Sequence, residues 1–185
     1  MNNSNTKQPI LIELDDSCRG EHYDRAAAWF KNVQLTQSSF RQLLEDTVEK
    51  IEEPHIKDYL HTMLEHARHH EEKAEELFSA IDRTPSSVRT LAGEMLGKGR
   101  ELWADIIALG GGATGPWQDL QQLYISNLNS MSAWAVAEQL GLALGIPQIL
   151  DITFPVVAQK STDHLLLQEC ALEMCSKSIL YKQPF

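Results

Sequence analysis

The sequence predicts an all-α protein: four long helices packed as a bundle, with an additional short helix in the crossover between two hairpins. Apolar residues recur at intervals of three, four or seven through four long stretches, the period of amphipathic helices. Proline or glycine punctuates the breaks between those stretches. Only Ile10 to Leu14 shows anything like the period-two alternation of a strand.

The first helix covers about Glu21 to Ile51, where Ala27, Phe30, Val33, Phe40, Leu44 and Ile51 share a stripe. Pro54 suits the first turn of a second helix that runs to about Ile81, with Leu60, Met63, Ala67, Ala74, Leu77 and Ile81 on one face. Thr84 can cap the next helix and Pro85 can enter its first turn, giving a short element over Ser87 to Leu109 that stops at Gly110 to Gly112. Pro116 opens a further long helix, striped by Leu120, Tyr124, Met131, Trp134 and Leu142, which closes at Gly145. Pro147 starts the last one, and Pro155 is expected to kink or split it before a run from Val157 to about Tyr181.

Each long stretch is roughly 25 to 35 residues, or about 40 to 50 Å at 1.5 Å per residue, the dimensions of a four-helix bundle. Tight connections at Pro54 and at Gly145 to Pro147 make two antiparallel hairpins, and the short helix with its glycine run becomes the crossover. A chain of 185 residues fits one such domain over residues 21–185, preceded by an N-terminal tail of residues 1–20.

The formal net charge of -10, with 26 acidic against 16 basic residues, argues against nucleic acid, whose phosphates require clustered Lys and Arg. Three cysteines, Cys18, Cys170 and Cys175, have neither zinc-site nor redox-motif spacing, which suits a reducing, cytoplasmic compartment. The apolar run at Ile10 to Ile12 is too short for a signal sequence or a membrane span, so neither targeting nor a membrane partner is expected. No phosphate loop or nucleophile elbow occurs, because Gly110 to Gly112 lacks the Lys-Ser/Thr and the flanking strand.

The texts EHARHHEEKAEELF and AWAVAEQLGLALG, together with the helix order, resemble the ferritin-like superfamily over about residues 21–182, and especially its stress-induced bacterial branch. The resemblance implies a four-helix bundle carrying two metal ions, held by one Glu from each of two helices and a Glu-x-x-His from each of the other two. Here the matching inward positions are Gln37, Ala67 with His70, Asn127, and Ser161 with His164. Both histidines remain and all four carboxylates are replaced by neutral residues. Two buried divalent ions would then lack compensating charge.

Two readings of His70 and His164 follow. They are core histidines hydrogen-bonded to each other, to Gln37, to Asn127 or to water; or, with His66, they hold a single divalent Zn, Fe or Mn ion. Glu65 and His69 have a spacing that can share a metal, yet His69, Glu72 and Glu76 lie on the polar face of their helix, where solvated charge is ordinary. Glu138 falls about three turns beyond Asn127, as a flanking or interface residue. Trp29, Trp103, Trp117 and Trp134 are expected to pack.

The function expected on these grounds is that of a non-catalytic, stress-associated ferritin-like protein without its di-metal carboxylates and without a cofactor, forming a homodimer through an exposed helix face. The alternative is an iron- or manganese-dependent oxidase or peroxide-handling enzyme built on the histidines with Glu65 or Asp163. A small apolar ligand between the helices is a third use of such a core.

Overall fold

The computed structural model describes residues 16–85 and 115–180. Four helices account for nearly all of them: α1 (Asp16–Val48), α2 (Pro54–Ser79), α3 (Pro116–Leu144) and α4 (Pro147–Leu180). No strand occurs among the described residues. The expectations for Ile10 to Leu14, the short helix over Ser87 to Leu109, Gly110 to Gly112 and Trp103 lie outside them.

Each helix buries one seam at alternating steps of three and four. In α1 this runs Ala26, Phe30, Val33, Gln37, Phe40, Leu44, and in α2 Ile56, Leu60, Met63, Ala67, His70, Ala74, Leu77. In α3 it runs Leu120, Leu123, Asn127, Ser130, Trp134, Ala137, Gly141, and in α4 Val156, Lys160, Asp163, Leu167, Cys170, Met174. A 3.5-residue period is the pattern of knobs-into-holes packing between helices about 20° apart.

The helices pack as a ring, with α1 against α2 and α3, and α4 against α2 and α3. Cross-helix contacts fix the directions. The pairs Asp24 with Arg83 and Glu45 with Arg68 make α1 and α2 antiparallel. Trp29 donating to the Ala133 carbonyl, and Lys50 paired with Asp119, do the same for α1 and α3. His66 with Asp163, and His55 with Glu173, orient α4 against α2. The chain therefore leaves α2 at one end of the bundle and enters α3 at the other.

The turn between α3 and α4 is closed by Gly145 in the left-handed region (φ 66°), with the Ile146 amide returning to the Gly141 carbonyl at 3.0 Å. At Gly141 the two helices approach so closely that an added Cβ would lie 2.7 Å from Ile149 Cγ2 and 2.8 Å from its Cβ. Alanine gains about 1 kcal/mol of helix propensity, against an overpacking cost of about 1 to 3 kcal/mol. Gly141→Ala is accordingly expected to lose about 1 kcal/mol in urea denaturation, whereas a gain would mean that the hairpin relaxes freely.

Three boundaries differ from the sequence reading. α1 begins at Asp16, inside the span expected to be tail, and its early turns are tied to the loop after α2, where Arg83 donates to Asp24 and to the Gly20 carbonyl. It ends at Val48, leaving Ile51 buried in the connection. Pro155 does not split α4: it lies on the exposed side of the helix, as does Asp151 one turn earlier, whose carbonyl the proline leaves without its helical donor. Among the described residues no helix is long and apolar enough to cross a membrane.

Candidate functional site

The core falls into two apolar clusters. One is centred on Phe40, Leu60, Met63, Leu120 and Leu167, the other on Phe30, Phe78, Trp134 and Val156. Between them the four seams turn polar at the same level. Gln37, His70, Asn127, Ser130, Lys160 and Asp163 are all buried there, and the unbroken three-four repeat directs each of them to the axis.

The α1 to α3 side of this layer is fully hydrogen-bonded. Gln37 Nε2 donates to the Ala67 carbonyl at 2.9 Å, and Gln37 Oε1 accepts from Ser130 Oγ at 3.0 Å and Trp134 Nε1 at 3.2 Å. Ala67, with nothing beyond its Cβ, leaves room for that reach across α2.

The α4 side carries charge. Lys160 is 0% exposed, its Nζ donates to Asn127 Oδ1 at 3.3 Å, and it stands 4.4 Å from the centroid of the Phe40 ring. Asn127 answers by donating from Nδ2 to the Lys160 carbonyl at 3.0 Å. Burial lowers the Lys160 ammonium to a pKa of about 7, against the opposing pull of Asp163.

One turn on, both Asp163 oxygens lie near His66 Nδ1, at 3.2 and 3.3 Å, and Gln159 Nε2 donates to one of them at 3.2 Å. Burial raises the Asp163 carboxyl above its ordinary value, while Gln159, His66 and Lys160 hold it down. His70 is buried with Nδ1 unpartnered; burial, followed by the charges of Lys160, His66 and His69, takes its pKa down to about 3 and keeps the ring neutral.

Of the positions singled out in the sequence, Gln37, Ala67, His70 and Asn127 reach the layer, and His66 borders it through Asp163. Ser161 does not. It is exposed, donating to its own helix at the Val157 carbonyl (2.8 Å) and lying 3.4 Å from Met131 Sδ. His164 is likewise turned away from His70: it stacks on Tyr124 with ring centroids 4.1 Å apart, and its partial burial lowers its pKa. The inward register of α4 is therefore one residue earlier than the Glu-x-x-His match suggests, and the axis receives Lys160 and Asp163. Lys160 went unread in the sequence, although continuing the repeat from Val156 to Leu167 and Met174 leads straight through it.

The remaining candidates lie apart from the layer. Glu65 and His69 are exposed, with His69 Nδ1 3.7 Å from Glu72. Glu138 lies in a groove near the α3–α4 turn, one carboxylate oxygen buried and unpartnered. Trp134 is fully buried, and Cys170 is a buried thiol.

Two iron or manganese ions would need several anionic oxygens at this level. The layer supplies one carboxylate, Asp163, which is already engaged by His66 and Gln159, and it sets an ammonium on the axis. Among the described residues no three His, Cys, Asp or Glu side chains converge to hold a metal ion. This donor set does not fit a di-metal centre. The chain matches no protein family, no curated protein and no solved structure in the comparisons made.

Proposed function

We propose that this chain is a ferritin-like bundle in which a lysine-centred polar layer stands where a di-metal centre would be, and that it acts as a non-catalytic, stress-associated protein. The observation that carries the reading is Lys160. A wholly buried lysine amine, beside an amide and an aromatic face and charged below about pH 7, occupies the bundle axis where metal ions would otherwise sit. Gln37 and Asn127 then act as neutral hydrogen-bonding partners that lock the register of the four helices, the best attested use of a buried polar layer. The stress association rests on the resemblance in the α2 and α3 texts, and a cytoplasmic setting on an odd set of three cysteines without zinc-site or redox-motif spacing.

The test is elemental analysis of untagged protein together with an Fe(II) oxidation assay. Expected are iron, manganese and zinc well below one ion per chain and no oxidation above buffer. Two iron atoms per chain, or catalytic Fe(II) oxidation abolished by Asp163→Ala, would establish the metal-dependent oxidase instead.

A further inference from the structure

Near its turn the α3–α4 hairpin carries a groove that lies apart from the polar layer. Glu138, Leu142, Leu150, Asp151, Phe154 and Pro155 line a volume of about 610 Å³, within the range of about 300 to 1,000 Å³ common for small-molecule sites. Its walls are largely apolar, with Leu142 53% exposed and Phe154 68%. Its side chains offer acceptors and no donor. One oxygen of Glu138 is buried and has no hydrogen-bond partner. Asp151 adds an exposed carboxylate, and Pro155, which has no N–H, leaves the Asp151 carbonyl without its helical donor. Buried acceptors are ordinarily matched by donors, so the orphaned Glu138 oxygen marks a group that the chain itself does not supply.

We propose that this groove binds a small organic cation, a primary ammonium joined to a hydrocarbon chain or ring. The N–H donors of the ammonium suit the Glu138 and Asp151 carboxylates and the freed carbonyl, while the hydrocarbon covers Phe154, Leu142 and Leu150. Charge selects this occupant. α3 contains no Lys or Arg. Of the two lysines in α4, Lys160 is buried on the axis and Lys177 is about six turns beyond Pro155, so the hairpin has no cation of its own for this place. The net charge of -10 adds a field that draws cations and repels fatty acids and other anions. A bare metal ion fits less well: Ca²⁺ takes about six to eight oxygens, and among the described residues no three His, Cys, Asp or Glu side chains converge to hold one. A neutral apolar ligand leaves the Glu138 oxygen as unpaired as before.

Nuclear magnetic resonance titration of the isotope-labelled full-length chain tests this with probes of one chain length: n-octylammonium, 1-octanol and octanoate. Expected is saturable binding of octylammonium with a dissociation constant below about 1 mM, the scale a ligand of this size delivers. The largest amide shifts should fall between Glu138 and Val156. Octanol and octanoate should bind at least about tenfold more weakly, since neither brings a charged donor. The double variant Glu138→Gln/Asp151→Asn, which keeps the shape of the groove and removes its charge, should weaken octylammonium by about tenfold or more and leave octanol unchanged. Phe154→Ala should weaken both by severalfold through lost apolar contact. Glu65→Gln, at an exposed site on α2, should change neither. Absence of saturable octylammonium binding, octanol binding as tightly as octylammonium, or binding indifferent to Glu138→Gln/Asp151→Asn would each overturn the proposal.

Discussion

Lys160→Met is expected to stabilise the protein at pH 7 by about 1 to 3 kcal/mol, as replacement of buried charge by an apolar side chain of similar volume often does. In the native fold the ammonium has lost its water and gained one amide oxygen and one ring face, and its pKa falls from 10.5 to about 7. Below pH 7 both folded and unfolded chains hold the proton, and the native state bears the whole desolvation cost. Between about pH 7 and 10.5 the unfolded chain holds a proton that the native state has released. Stability contributed by this group therefore rises with pH, by up to about 1.4 kcal/mol per unit. Methionine removes both the cost and the slope. It leaves Asn127 Oδ1 without its donor and Phe40 without its cation, which keeps the gain to a few kcal/mol. Guanidinium denaturation of both proteins at pH 7, 8 and 9 measures the effect: the two stability curves should converge as pH rises. A variant less stable than wild type at pH 7, with the curves running parallel, would mean that the ammonium is well compensated where it lies.

The sequence makes α1 and α2 legible because their seams are dense and their outer faces polar, whereas in α3 the exposed Leu128, Val136 and Leu142 blur the stripe, and Leu142, expected inside, lies outside at 53% exposure. The same repeat marks Gln37, Ala67, His70 and Asn127 as inward. In α4 two apolar stripes compete. Phe154, Leu165, Leu172 and Ile179 lie outside while Val156, Leu167 and Met174 lie inside, and the run Leu165-Leu166-Leu167 belongs to both. With that contrast gone, a histidine match decides the register and shifts it by one. Lysine is also among the residues least often buried, so a reading by residue type passes over Lys160 even where the spacing points to it. The early start of α1 was hidden for another reason. Asp16 to Gly20 carries no apolar stripe, and the tertiary hydrogen bonds from Arg83 reach the Gly20 carbonyl and, one turn on, Asp24.

Rebuilding a carboxylate site at the corrected register, as Gln37→Glu, Ala67→Glu, Asn127→Glu and Lys160→Glu together, is expected to destabilise the metal-free protein by more than about 5 kcal/mol. Breaking buried charge pairs costs about 3 to 5 kcal/mol at a single site, and here several carboxylates share one apolar layer. They must either repel one another or raise their pKa values and keep their protons. Loss of the Gln37 bonds to Ser130 and Trp134 adds to the cost. Mn(II) supplied to this variant should recover part of the loss, by about 2.7 kcal/mol at one hundred times its dissociation constant, because the ion binds only the folded arrangement. The matched control keeps Lys160 and carries Ser161→Glu in place of Lys160→Glu. Position 161 is exposed, so its carboxylate enters solvent while the ammonium stays on the axis among the other three. That protein should show no recovery with Mn(II). Thermal melting of the two variants and the wild type, with and without Mn(II), separates the cases. Equal recovery in both variants would place the axis nearer Ser161 than Lys160, and a Mn(II)-dependent rise in the wild type would show that the existing layer holds metal despite its lysine.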